Sequence, residues 1–255
     1  MQLVDTHSHL YDEAYAGEED LAVRRAEEAG VDRIIIPDID SATRDAMFSL
    51  TDRHPGKLFP CLGLHPTSVN AEWKTELEKL EGHYDRNIWA IGEVGIDCYW
   101  SKEYLQEQKE VLRLMCRLAH DKNLPLIIHS RDAGDIILSI LKENSHLNLR
   151  GVFHAFSGSI ETYREISKLG DWSVGIGGVL TFKKASIAET VKSIPLEKIL
   201  LETDAPYLTP APHRGKRNES GYIPLIAAKL AEIKEISLEQ VAEQTTQNAE
   251  KLFAI

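Results

Sequence analysis

The sequence predicts a (β/α)8 barrel, and three of its features lead there. Short apolar runs rich in β-branched residues alternate eight times with longer amphipathic ones. The 255 residues match the length of one such barrel, and no linker or low-complexity stretch divides them. The first apolar run leads into "DTHSHL", not into the glycine-rich phosphate loop of an open, doubly wound sheet. One domain over 1–255 is therefore expected.

Taken in order, "QLVDTH" (2–7) is the first strand, and Gly30 sits where a helix over 18–30 should end. "VDRIIIP" (31–37) follows, then a helix over 41–53 with Ser41 as a plausible N-cap. "LFPCLG" (58–63) precedes a helix over 71–84, and "IWAIGEV" (88–94) one over 102–122. "LPLIIH" (124–129) and "GVFHAF" (151–156) alternate with helices over 132–144 and 159–169. "WSVGIG" (172–177), a helix over 183–193 and "KILLETD" (198–204) complete the eight repeats. Two further helices, 221–234 and 237–253, close the chain, the last with Ser237 as its N-cap.

Composition narrows the function. With 43% hydrophobic residues the chain can bury a sizeable core, yet no window approaches the roughly 18–20 apolar residues of a membrane span. No basic, then apolar, secretory signal opens it, and three cysteines (Cys61, Cys98 and Cys116) without C-x-x-C pairing fit a reduced, cytoplasmic protein. The net charge of −11 argues against a protein that coats nucleic acid. Contact with a polyanion would be local, at a strand end, with metal ions adding positive charge. Nothing in the sequence calls for an obligate protein partner.

Chemistry in such barrels sits at the C-terminal ends of the strands. Reading those ends gives His7 and His9, then His65 just past the third strand, Glu93, His129, His154 and Asp204. His7 and His9 share a face if the strand stays extended through them, with Asp5 on the same side. Each residue alone has an ordinary explanation as a hydrogen-bonded core group or a helix cap. Six buried polar groups around one centre, however, would be prohibitively costly without cations. Four imidazoles, one Glu and one Asp exceed a single tetrahedral ion and suit two divalent ions with open positions. We expect His7, His9 and Asp204 on one ion, His129 and His154 on the other, and Glu93 bridging. The nitrogen-rich set favours Zn²⁺ or Mn²⁺ over Mg²⁺. His54, His83, His120 and His146 lie in polar contexts and are expected to be solvated.

"DTHSHL", "GLHP", "GEVGID", "IIHSR", "FHAFSGS", "LETDAPYLTP" with "HRGKRNE", and "TTQNAEKLF" together resemble the TatD family of metal-dependent deoxyribonucleases, in the family's order from residue 3 to 253. The resemblance implies a TIM barrel and the same six ligands, His7, His9, Glu93, His129, His154 and Asp204. It implies His65, Arg214 and Asn218 as contacts to substrate. It also implies Mg²⁺-dependent 3′→5′ exonuclease activity on single-stranded DNA or RNA, which pulls the choice of metal away from the donor-softness argument. Ala155, where a cysteine is common, "GIDCYW" and "NESGYIP" depart from the family pattern without touching a ligand.

The mechanism these residues suggest is attack on a phosphodiester by a hydroxide held between two ions, which lower the pKa of water from 15.7 toward about 7. Asp204 is the candidate proton acceptor, and Glu93 and His65 join it as catalytic candidates. In "HRGKRN", with His213, Lys216 and Arg217, Arg214 is best placed to fork onto a phosphate. Tyr99, Trp100 and Tyr207 are candidates to stack on bases. The competing reading is a metal-dependent hydrolase of carbonyl substrates: a lactone, an amide or an aminoacyl ester. Glu93 stands where many such relatives carry a carboxylated lysine, which favours the nuclease. A non-catalytic protein that keeps its metals for folding or binding is the third reading, and the full ligand set argues against it.

Overall fold

In the computed structural model, which describes residues 2–255, eight parallel strands close on themselves. They are β1 (Leu3–Asp5), β2 (Val31–Ile36), β3 (Leu58–Pro60), β4 (Ile91–Asp97), β5 (Leu126–Arg131), β6 (Gly151–Phe153), β7 (Trp172–Ile176) and β8 (Ile199–Leu201). Pairing runs in chain order within β1–β3 and within β4–β8. Two bridges join these groups, Leu62 to Ile91 and Ser8 to Ala205. The Thr6 amide donates to Leu201 O at 3.0 Å and the Gly92 amide to Leu62 O at 2.9 Å, so neither seam leaves an open edge.

The helices are α1 (Glu19–Glu28), α2 (Arg44–Arg53), α3 (Trp73–Glu81), α4 (Leu105–Asp121), α5 (Gly134–Glu143), α6 (Ile160–Ser167), α7 (Ile187–Ser193), α8 (Ile223–Lys234) and α9 (Leu238–Phe253). Helical spacing dictates what each buries. In α4, Val111, Leu112, Met115, Cys116 and Ala119 form the stripe that packs on the barrel. Helix α1 stops where Gly30 takes φ +85°, as its sequence predicts. Ser237 caps α9 in a capping box with Gln240.

Ser41 does not cap α2, contrary to expectation. The helix begins later, and the Ser41 hydroxyl and amide both bond the Glu76 carboxylate, tying the β2–α2 loop to α3. The fourth strand is also displaced from 88–94, because pairing with β5 continues to Asp97 opposite Arg131. Glu93 therefore lies inside β4, and Asp97 ends it. The expected helix over 183–193 keeps only its second half, leaving Lys183 and Lys184 in a loop.

The apolar interior has two parts. A large cluster joins the helices to the outer faces of the strands. A second takes Val4, Ile35, Phe59, Ala90, Ile127, Val152 and Leu200 from seven strands or their ends, which is the inside of the barrel. Leu252 and Phe253 of α9 plug its lower end. All three cysteines are buried and unpaired. Among the described residues, no helix is long and apolar enough to cross a membrane.

Candidate metal centre

The inward alternation that carries Val152 and Ile127 also carries His154 and His129 two residues on, at the upper end of the barrel. On β1 the alternation breaks. Val4 belongs to the inner cluster, and the strand ends at Asp5. Asp5 does not join His7 and His9: its carboxylate takes the amides of His7 and Thr203 and the Thr203 hydroxyl, fastening β1 to the end of β8. Released from the ladder, His7 and His9 both turn to the mouth.

Seven predicted side chains meet there. Glu93 is central. Its Oε2 lies 3.0 Å from His7 Nε2 and 3.6 Å from His9 Nε2. Its Oε1 lies 2.8 Å from His129 Nδ1, 2.8 Å from His154 Nε2 and 3.2 Å from His65 Nε2. Asp204 Oδ1 is 3.7 Å from both His7 and His9 Nε2. The two halves expected for two ions are thus already separated by the two oxygens of one carboxylate.

Hydrogen-bond accounting tests whether these atoms fit cations. The Tyr11 hydroxyl donates to Pro37 O at 2.6 Å, so it accepts from His9 Nδ1 at 3.1 Å. That assigns the hydrogen to Nδ1 and leaves His9 Nε2 a bare lone pair. The lone pair faces His7 Nε2 at 3.1 Å and two carboxylates. In the other half, His129 Nε2 donates to Asp97 Oδ2 at 3.0 Å, so in the neutral ring Nδ1 is bare and faces Glu93. Buried acceptors pointing at acceptors need positive charge between them. His7 Nδ1 and His154 Nδ1 have no hydrogen-bond partner, and Glu202 Oε1 stands 3.7 Å from the latter. The donor set fits two divalent cations, and protons are their only substitute.

His65 differs. Its Nδ1 accepts from the Thr67 amide at 3.2 Å, capping the short turn Pro66–Ser68. The hydrogen then resides on Nε2, which makes His65 a donor at the rim.

Burial and the neighbouring carboxylates compete over the ionisation of the cluster: against burial, Asp97 and Glu93 hold His129 above the usual histidine range, and Glu93 with Glu202 holds His154 well above it. Burial lowers His7 well below the usual histidine range and His9 to about 4, so both stay neutral. Burial works against the charge of Glu93, but the surrounding imidazoles, His154 foremost, outweigh it and hold the carboxyl well below its normal range. Burial pushes Asp204 up to about 7 despite the pull of His154. Burial would also raise Asp97, yet the bonds from His129, Trp100 and Tyr99 bring it down to about 2. It is a fixed anion behind His129.

Asp97, Tyr11 and Glu202 are supporting residues that sequence reasoning missed. Asp97 and Glu202 stand inside "GEVGID" and "LETD", so a buried carboxylate near a ligand was the available signal. Glu202 Oε1 takes the Ala155 amide beside His154. It fits only because residue 175 is glycine, where a Cβ would fall 1.9 Å from Glu202 Oε2.

Two expected substrate contacts lie elsewhere. Asn218 is fully buried, not at the mouth. Its amide donates to Thr203 O at 2.8 Å and Tyr207 O at 2.6 Å, and its oxygen accepts from the Glu219 amide, so it pins the loop carrying Asp204. Arg214 does not line the main pocket, and its guanidinium sits 3.9 Å over the Phe182 ring in an adjoining groove. His54, His83, His120 and His146 stay outside the cluster, as expected, although His54 bonds Asp20 at 2.7 Å and His83 stacks on Phe48.

The cluster opens into a pocket of about 800 Å³, rimmed by Trp100, Arg131, Tyr207 and Leu208. Trp100 is 69% exposed and Tyr207 55%. Arg131 lies 3.9 Å from the Tyr99 ring and 5.5 Å from that of Trp100, so the rim is aromatic and cationic together.

Cations bound at about 100 times their Kd would add about 2.7 kcal/mol of stability. For a chain of this size that is roughly 5–10 °C in Tm. Chelation should therefore lower the melting temperature, and Zn²⁺, Mn²⁺ or Mg²⁺ should restore it. A melting curve indifferent to both treatments would rule out a buried cation centre.

Comparison with known proteins gives a consistent result. The family profile described as "TatD related DNase" matches residues 4–254. An uncharacterized metal-dependent hydrolase of Bacillus subtilis, YabD, is 39% identical over 260 residues, covering 99% of each chain. The crystal structure of YjjV, a TatD homolog of Escherichia coli, superposes with a TM-score of 0.89 at 28% identity over 99% of this chain and 98% of that one. A TatD family hydrolase of Entamoeba histolytica gives 0.86 at 25% identity, with the same coverage.

Proposed function

This chain belongs to the TatD-related DNase family of metal-dependent hydrolases, and from that membership we propose that it trims single-stranded nucleic acid from the 3′ end. His7, His9 and Asp204 would hold one cation, His129 and His154 the other, with Glu93 shared between them. The observation that carries this reading is the division of Glu93, with one oxygen toward His7 and His9 and the other toward His129 and His154. When bound, such cations lower the pKa of water toward about 7 and draw charge from the ester oxygens.

The remaining work falls to the protein. Asp204 directs one oxygen at His7 and His9 and keeps the other to accept a proton from the attacking water. His65 Nε2 donates toward a phosphoryl oxygen where charge develops. Water adds to phosphorus, the bond from phosphorus to the penultimate sugar's 3′ oxygen breaks, and the terminal nucleotide leaves with the phosphate. Asp97 and Tyr11 hold the rings of His129 and His9 in register.

A nucleic-acid substrate is supported by the rim. Exposed Trp100 and Tyr207 offer faces on which bases stack irrespective of sequence, and Arg131 adds charge beside them. Trp100→Ala should cost about 1–3 kcal/mol in binding a single strand. That cost is read as a raised KM, with turnover of a small aryl phosphodiester unchanged.

The deciding experiment digests 5′-labelled and 3′-labelled single-stranded oligonucleotides with Mg²⁺, Mn²⁺ or Zn²⁺ added back to stripped protein. The expected result is a descending ladder that keeps the 5′ label, with the 3′ label released first. Intact oligonucleotides alongside rapid hydrolysis of lactones or aminoacyl esters would instead establish the carbonyl reading.

A further inference from the structure

We infer that the groove beside the mouth, lined by Lys183, Lys184 and Arg214, holds a backbone phosphate of the strand beyond the scissile one. This rests on the nucleic-acid reading above and specifies where the rest of the strand runs.

The groove, about 460 Å³, shares Ser157 and Val179 with the main pocket, so a chain leaving the metal centre enters it directly. Three of its lining side chains are cations and none is a carboxylate. That stands out on a chain with a net charge of −11. Among the described residues, Lys183, Lys184 and Arg214 make no ion pair. Arg217, from the same "HRGKRN" segment, is by contrast bound to Glu18 at 2.8 Å and Glu219 at 3.0 Å. Arg214 is also held in place, because its stacking on Phe182 fixes the plane of the guanidinium while its N–H groups stay free.

A second recess of about 490 Å³ shares Ser130, His154, Ala155 and Ser157 with the mouth. It carries Asp132 and Asp135 and no Lys or Arg. An anionic backbone is repelled there and attracted by the lysine groove, so the charge distribution alone selects one of two openings.

The test compares an oligothymidylate with bis(p-nitrophenyl) phosphate, which reaches the metal centre but not the groove. For the double variant Lys183→Gln, Lys184→Gln, KM for the oligothymidylate should rise roughly tenfold at low salt, with kcat retained. The plot of log kcat/KM against log salt should flatten by about 0.7, the value for the one phosphate of a single strand that the variant no longer neutralises. Hydrolysis of the aryl diester should not change, and Lys183→Arg, Lys184→Arg should keep the wild-type salt slope. If the Gln variant cleaves the oligothymidylate with an unaltered slope, the groove assignment is overturned and the nuclease reading stands. If wild-type protein hydrolyses the diester but never the oligothymidylate, both are overturned.

Discussion

Glu93→Gln is expected to lower kcat/KM on every ester by at least about 10³-fold, about 4 kcal/mol of transition-state stabilisation, while the barrel stays folded. The substitution keeps the shape of the side chain and changes its charge. A carboxamide there would present one acceptor and one donor where the wild type presents two anionic oxygens, each shared by a different set of imidazoles. An amide N–H directed at either imidazole pair repels a cation instead of binding it, so half of the centre loses its bridge. Metal content should fall below that of the wild type, and circular dichroism should be unchanged. His129→Ala should have a similar effect, because it removes a candidate ligand nitrogen and leaves Oδ2 of the buried Asp97 without its donor. Wild-type turnover in either variant would refute the assignment of the centre.

The second large effect is on stability. Arg44 and Asp38 form a fully buried pair at 2.7 Å, and neither residue is more than 1% exposed. Arg44→Met leaves a buried carboxylate without its counter-ion, an arrangement that costs about 3–5 kcal/mol. The position makes the loss consequential. The Asp38 amide donates to Gly92 O at 3.1 Å, and the Glu93 amide donates to Asp38 O at 3.0 Å. The pair therefore holds the β2 end against Glu93, the residue central to the candidate metal centre. Denaturant titration should show a lower midpoint with an unchanged slope. Asp38→Asn combined with Arg44→Met should recover part of the loss, since the uncompensated charge is gone. A shift of less than about 1 kcal/mol in the single variant would show that water or another group neutralises Asp38.

Much of this site is legible in the sequence because the candidate metal ligands violate the rules of the surrounding strands. His129 after "PLII", His154 within "VFHAF" and Asp204 after "ILLET" are polar groups placed where burial is certain, and their common position at strand ends makes the coincidence visible. The supporting residues lack that contrast. Tyr11 reads as an ordinary aromatic, and Asp97 as a strand-end carboxylate, until the partner ring is seen. Arg214 and Arg217 have the same charge and lie in the same segment. Nothing local says that Glu18 and Glu219 engage one and leave the other free over Phe182.

By itself the sequence determined the parallel barrel, through eight repeats of apolar and amphipathic periodicity, and the identity of the residues that gather at its mouth. Periodicity and burial are local properties, so one chain records them. The tertiary structure alone decided how those residues divide. It set which Glu93 oxygen faces which imidazoles, and which ring nitrogen keeps its hydrogen. It also turned Asp5 toward Thr203, drew Asn218 beneath the loop, and left Lys183 and Lys184 facing a groove. These outcomes depend on distances between residues up to nearly 200 positions apart, fixed only when β8 meets β1 and the barrel closes.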